Sequence, residues 1–587
     1  MRMGKGELSG WIPAWFCGVL LWSVAAHALA ATSAGSRDPT FGANGVAIVN
    51  PTTGIDQMSF GALQPDGKLV GAGNISLSGS AYAFGVVRYL DNGAPDPGFA
   101  VNGIGIYGID TNSYAHSLLV AADGKLYVIG TAETGGTARC AVLRLLPNGQ
   151  IDGTYGTAGV SRFAPPTGQP FCTRGALLPD GRILVAGYTG STAFVARLNV
   201  DGSVDTTFGD GQGLAFVQGV AMDIYNIALG PGGRIAVFGS RVPAGNPGAV
   251  AVMQPNGSMD TSFHGNGVYS DGALFGAQVL DGKFHSDGRL VVTGNSPDSK
   301  PAVWRLNANG TPDVAFGTGG MSEWLIAPLT GGWGRSIVIQ PDGKYVIGIR
   351  SLVTGNQVRF SALRLHDTGA LDLAFGTGGQ VVVETGNTQG DYVYGTELAP
   401  DGKIWLTGTG TAPGGDQAYM AARLIGAETT TVVVEFYNST LVHYFITADP
   451  NEAAAIDGGA AGPGWERTGK TFKSGGPSRV CRFYGSPDID PATGMRRGPN
   501  SHFYTIDPAE CAAVKTDIGW RFESYDFSGW PRSGAACPAG TVAVLRAYNN
   551  RFAQNDSNHR YTIEQAAYDA MLAQGWSGEG AVFCAPL

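Results

Sequence analysis

Leu63-Gln64-Pro65-Asp66-Gly67-Lys68, then Arg88-Tyr89-Leu90, then Asp96-Pro97-Gly98-Phe99, is the stretch on which the fold of this 587-residue chain turns. Its last element recurs at Asp38 to Phe41, Asp152 to Tyr155, Asp205 to Phe208, Asp260 to Phe263, Asp313 to Phe316 and Asp372 to Phe375, which makes seven copies 53 to 59 residues apart. Its first element keeps the same beat at Asp123-Gly124-Lys125, Asp180-Gly181-Arg182, Gly232-Gly233-Arg234, Asp287-Gly288-Arg289, Asp342-Gly343-Lys344 and Asp401-Gly402-Lys403. A fixed period of this length marks a repeat architecture, in which each unit buries its apolar face only against its neighbours.

Asp-Gly between apolar runs predicts a two-residue hairpin turn of type I′, which needs positive φ at both residues. In the fourth unit, Leu214 to Val217, Ile224 to Leu229, Ile235 to Phe238 and Ala249 to Met253 are four short apolar runs, and four strands per repeat of this size make a propeller blade. The phase of the repeats adds a closure. Strands ending in Arg88-Tyr89-Leu90, Arg144-Leu145, Arg197-Leu198, Arg305-Leu306 and Arg364-Leu365 are each followed by an Asp-x-x-aromatic copy. Arg423-Leu424 is followed by none, and the missing copy stands at Asp38 to Phe41. The N-terminal segment is therefore expected to complete the last blade, removing the open sheet edges that invite aggregation. Each Asp is expected to cap a turn and each aromatic to fill a wedge between blades.

These motifs, in this order across seven units, resemble the delta-60 repeat family of secreted bacterial propellers over residues 38 to about 425. The resemblance implies a fold and no reaction. The expected fold class is mainly β: a seven-bladed β-propeller with the N-terminal segment closing the last blade, plus a small disulfide-bonded α+β domain of three repeats.

The expected boundaries are 1–30 for a signal peptide, 31–425 for the propeller, 426–431 for a linker and 432–587 for the small domain. Its three copies align on His443-Tyr444-Phe445-Ile446-Thr447, His502-Phe503-Tyr504-Thr505 and His559-Arg560-Tyr561-Thr562. Aromatic strands precede them at Val432 to Tyr437, Val480 to Tyr484 and Val542 to Tyr548, and Gly-Trp pairs follow at Trp465, Trp520 and Trp576. Between His and Trp lies a helix signal: Asp507-Pro508-Ala509-Glu510 puts a capping Asp before Pro, Asp449-Pro450-Asn451-Glu452 repeats it, and Thr562 with Gln565 has capping-box spacing. Each unit thus reads as two strands, a helix and a strand, and together these elements resemble the DUF5648 repeat region of secreted bacterial proteins.

Cys481, Cys511, Cys537 and Cys584 all fall in this domain, an even number that in an exported protein points to two bridges among three possible pairings. Cys481 with Cys511 joins the first strand and helix of one repeat, Cys537 with Cys584 joins the ends of the last repeat, and Cys140 with Cys172 in successive propeller units forms a third. Export itself is read from Arg2 and Lys5 ahead of the apolar stretch Trp11 to Ala26, with Ala28-Leu29-Ala30 as the cleavage site, so that Cys17 leaves with the signal. The expected destination is periplasm, outer surface or medium.

A formal net charge of −9 gives no footprint for nucleic acid. No later stretch approaches twenty uninterrupted apolar residues, so no membrane segment is expected once the signal is removed. No zinc-protease, nucleophile-elbow or phosphate-loop motif occurs, and no catalytic residue, metal ligand or cofactor is assigned. Asp488 to Gly494 begins like a calcium loop but lacks its later acidic ligands, and reads as a surface turn. His443, His502 and His559 could meet on an axis to hold zinc, or fill one structural slot three times; the latter is expected. Trp465, Trp520 and Trp576 are expected in the core, with sugar stacking as the other role. These six residues are the candidate ligand contacts. The function expected is an exported, non-catalytic binding or adhesion protein for polysaccharide or cell-envelope material; a hydrolase or lyase with its site in the propeller funnel is the alternative.

Overall fold

Among the described residues, seven four-stranded antiparallel sheets lie within Val46–Leu424 and three three-stranded sheets within Val432–Pro586. The computed structural model describes residues 34–587 apart from 78–80, 191, 244, 246, 273–274, 277, 356, 386–389, 427–431, 476–477, 487, 492–493, 495, 533, 535 and 539–540. The expected signal peptide lies outside the described residues, as does most of the expected linker. Among the described residues no helix is long and apolar enough to cross a membrane.

The innermost strands of the sheets are, in chain order, Gln57–Leu63, Asn112–Val120, Pro170–Leu177, Met222–Leu229, Val279–Phe284, Leu329–Ile339 and Tyr392–Leu398. Each lies against the next, and the seventh lies against the first, so the sheets form a closed ring around a central channel. The last sheet takes its outer strand from the N-terminus: Val46–Val49 pairs with Gln417–Leu424, Val46 opposite Ala422 and Val49 opposite Tyr419. The repeat and the blade are offset by one strand. Leu214–Phe216, expected in the fourth blade, is the outer strand of the third, paired with Thr192–Leu198. The fourth blade ends instead on Val268–Tyr269. The same offset places the N-terminal strand in the seventh blade.

The three recurring motifs meet in one cluster per unit. The carboxylate Oδ1 of Asp38, Asp96, Asp152, Asp205, Asp260, Asp313 and Asp372 accepts the N–H two residues on, as a turn cap does. Oδ2 faces the Arg of the preceding strand, at 2.7 Å for Arg423 to Asp38 and 2.9 Å for Arg88 to Asp96, and the basic residue of the Asp-Gly turn, at 3.4 Å for Lys403 and 2.6 Å for Lys68. That Arg lies over the unit's aromatic ring, 4.9 Å from Phe41 for Arg423 and 4.6 Å from Tyr155 for Arg144. The fourth unit has no such strand Arg, and Arg234 of its turn serves instead, 2.7 Å from Asp260. Each ring also wedges into the next blade: a Cβ on Gly149 would stand 2.8 Å from the Phe99 ring.

The Asp-Gly turns are not type I′. Gly67 takes φ +80° while Asp66 keeps negative φ, and the bonds Gly67 N to Gln64 O and Gln64 N to Lys68 O define a type I turn followed by a left-handed Gly. In four units the residue before the pair, Pro65, Pro179, Pro341 or Pro400, holds φ near −65°, which a type I turn accepts and type I′ excludes, whereas in the fourth unit Pro231 is followed by Gly232 and Gly233, both at positive φ.

In the small domain each repeat is strand, strand, helix, strand, with the first strand central: Val432–Asn438 lies between His443–Thr447 and Trp465–Lys473. Asp507 caps its helix through bonds from the N–H groups of Ala509 and Glu510. The third helix starts at Gln565 without a side-chain cap, because Thr562 is spent on the N–H of Glu564 before the helix begins. Disulfides join Cys140 to Cys172, Cys481 to Cys511 and Cys537 to Cys584, with Cα atoms 5.5, 6.2 and 5.8 Å apart.

Candidate functional site

The three repeats of the small domain surround a pseudo-threefold axis, and the residues that meet on it are apolar. Phe472, Phe527 and Phe583 hold the same place in the last strand of each repeat, and their ring centroids are 5.7, 5.9 and 6.2 Å apart. Val433, Val480 and Val544, equivalent in the first strands, are fully buried in the same cluster.

The equivalent histidines do not converge. His443 is buried, with Nδ1 2.9 Å from Asn500 O and Nε2 2.6 Å from Asp556 Oδ1. His502 Nε2 stands 3.2 Å from Glu523, and His559 Nε2 stands 3.7 Å from Glu579. Each ring has its own carboxylate, and among the described residues no group of three or more His, Cys, Asp or Glu could hold a metal ion. Burial, reinforced by Arg546, pushes the His559 pKa down to about 3, so that ring is neutral at neutral pH.

The tryptophans are half-buried at or just before the start of a last strand, each packed against a core cluster, Trp465 against the axial one. Trp465 packs on Phe445 with centroids 6.1 Å apart, Trp520 on Phe503 at 5.8 Å and Trp576 on Tyr444 at 6.1 Å. One of them meets a candidate histidine across a repeat boundary. Between the first and second repeats a cleft of about 390 Å³ has Trp465, Tyr444, Phe445 and Tyr484 as its aromatic walls, and Glu452, Asn500, His502 and Glu523 as its polar groups. A cavity of this size, mainly aromatic with a few placed polar atoms, is the usual form of a small-molecule site.

Arg482 fixes the polar side of the cleft. Its Nη1 donates to Glu452 at 2.7 Å, its Nε faces Glu523 at 3.0 Å, and Asp526 stands behind at 3.2 Å. Burial works against ionising Glu523, but His502 and Arg482 outweigh it and hold the carboxyl below its usual range. A general acid for glycoside cleavage needs the opposite shift. Asp526, pushed up to about 6 by burial, bonds toward Thr447 and Ala448 and does not line the cleft. Arg546 repeats the arrangement one repeat later with Glu510 and Glu579. The first repeat reverses it: Glu435 takes the Arg position and pairs with Arg560 at 3.0 Å.

Of the six sequence candidates, Trp465 and His502 share Phe445 and line the cleft, and Trp520 and His559 share Phe503 one repeat later, outside it. Glu452, Arg482, Tyr484 and Glu523 were missed. Their signal was present: each Asp-Pro-x-Glu helix start offers a Glu to the next repeat's strand Arg, and a Glu follows Trp520 and Trp576 by three.

Two family descriptions match the chain. Residues 64–99, 121–155, 178–208, 285–316 and 340–375 match DUF5122, a domain of unknown function described as a beta-propeller. Residues 493–586 match DUF5648, also a domain of unknown function. No curated protein matches. Among solved structures, the chain is similar to catalytically inactive virginiamycin B lyase from Staphylococcus aureus with quinupristin, at 12% identity over 64% of this chain and 98% of that one, with a TM-score of 0.37. A protein of unknown function from Dyadobacter fermentans gives 12% identity, 65% and 97% coverage and a TM-score of 0.37. The WD40 domain of Toxoplasma gondii coronin gives 8% identity, 68% and 90% coverage and a TM-score of 0.37.

Proposed function

We propose that this chain is an exported, non-catalytic binding protein, whose small domain takes a sugar unit of a polysaccharide or cell-envelope component in the cleft between its first and second repeats. The observation that carries this reading is the half-buried Trp465 lining one cleft with His502, Glu523 and Asn500. Aromatic faces cover the C–H faces of a sugar while fixed polar groups select its hydroxyls. With Glu452 and Glu523 both tied to Arg482, the carboxylates serve as acceptors. Three disulfides support an oxidising compartment.

The test is binding of the purified protein to an array of neutral glycans and envelope polymers. Trp465→Ala should weaken whatever binds by about tenfold or more, as removal of a central aromatic anchor does. Trp520→Ala, outside the cleft, should leave it unchanged. Binding that survives Trp465→Ala in a folded protein would refute this site.

A further inference from the structure

The innermost strand of every blade carries a β-bulge at the same place, and the bulged residues are Ser59, His116, Thr173, Tyr225, Leu280, Arg335 and Tyr394. Each stands seven positions ahead of its unit's Asp-Gly or Gly-Gly turn. Bulges re-aim side chains, and here they recur at the rim of a closed ring. Arg174, next to the third bulge, lies over Phe60 of the first blade at 5.2 Å and donates to the His116 carbonyl of the second. Arg335 of the sixth blade lies over Tyr394 of the seventh at 5.2 Å. Arg335 and Asp281, on the sixth and fifth blades, are both within electrostatic reach of Arg174 on the third, and blades that are not neighbours meet only across the channel.

Among the described residues no carboxylate forms an ion pair with Arg174 or Arg335. The Nε of each, and Nε2 of His116, are buried without a hydrogen-bond partner. Asp281 is engaged elsewhere: it accepts from Asn226 at 2.7 Å and from the N–H groups of Gly282 and Ile337 at 2.7 and 2.9 Å, and pairs with Lys283 at 3.4 Å, so it reaches the two arginines through its field and not by contact. Both side chains are half-buried, and the planar guanidinium fork fits two oxygens of one oxyanion. We infer that the propeller channel is a binding site for a small oxyanion, a carboxylate or a phosphate or sulfate group, held between Arg174 and Arg335. Burial, with Arg335 beside it, pushes Arg174 down to about 10, and burial keeps His116 near 3 and neutral; both groups stay available as donors. In an acidic protein such a site selects by local geometry rather than by net attraction.

The test titrates the purified protein with sodium sulfate, sodium phosphate and sodium glucuronate at constant ionic strength, read by calorimetry and by thermal unfolding. At least one should bind saturably with unit stoichiometry and raise the melting temperature. Arg335→Gln and Arg174→Gln should each weaken it about tenfold or more, Arg335→Lys should retain part of it, and Arg139→Gln on the exposed surface should change nothing. The three anions distinguish a uronate from a phosphate or sulfate ligand. Absence of saturable binding by all three, or binding unchanged in a folded Arg335→Gln or Arg335→Lys protein, would overturn the assignment.

Discussion

Asp38→Ala removes a carboxylate that ties the N-terminal segment to the last blade through two cations. Asp38 is 2% exposed. Its Oδ2 takes Arg423 at 2.7 Å and Lys403 at 3.4 Å, while its Oδ1 takes the Thr40 N–H at 3.0 Å. Arg423 is itself buried and would keep the exposed Asp91 at 3.9 Å and the field of Asp401, so breaking the pair from one side leaves a poorly compensated charge at a cost of about 3–5 kcal/mol. Loss of the turn cap adds about 1 kcal/mol. The variant should therefore lose roughly 4–6 kcal/mol in urea unfolding. It should also self-associate, because fraying of Val46–Val49 uncovers the edge of Gln417–Leu424. Asp38→Ala with Arg423→Met should recover part of the loss, since the orphaned charge is gone. A loss below about 1 kcal/mol, the level of an exposed ion pair, would refute the reasoning; so would equal losses in the single and double variants.

Acid should unfold the propeller. All seven repeat aspartates have pKa values below the usual carboxylate range: burial opposes ionisation in most, hydrogen bonds from the turn and the nearby cations outweigh it, and for Asp152 the Thr154 bond is the largest cause. Groups depressed on folding contribute fully above the unfolded value of about 4 and lose that contribution as pH falls through their folded values. Glu397, raised to about 7 by burial, acts in the opposite sense, its cost to stability growing as pH rises from about 4 to 7. The urea midpoint should fall steeply below about pH 4; a midpoint unchanged from pH 7 to pH 3 would contradict the triads. On the threefold axis of the small domain, Phe527→Ala should cost about 3–5 kcal/mol, against almost nothing for the exposed Phe552→Ala, measured by urea unfolding. Equal costs would show that the three rings do not form its core.

Much of the architecture was legible because repetition multiplies weak signals. One Asp-Gly pair is ambiguous, whereas six of them and a Gly-Gly pair on a common beat fix strands, turns and the place of the missing copy. The ion pairs were harder to see. Asp38 and Arg423 are separated by 385 positions, and only the closed ring brings them together. The candidate cleft was half legible: Trp465 and His502 stood out as repeat landmarks, but Glu452 and Arg482 belong to different repeats and meet through packing of one repeat's helix against the next repeat's strand.

By itself the sequence determined the unit, its four strands, the closure by the N-terminal segment and the threefold repetition of the small domain, because periodicity and turn chemistry are local properties. Tertiary structure decided which equivalent residues meet. Equivalent positions converge only where the backbone turns them toward the shared axis, and there the chain placed Phe472, Phe527 and Phe583 while the histidines turned outward to separate carboxylates. It decided likewise that Arg174 and Arg335, three blades apart, face one channel, since seven twisted sheets have to close before opposite inner strands can share a space.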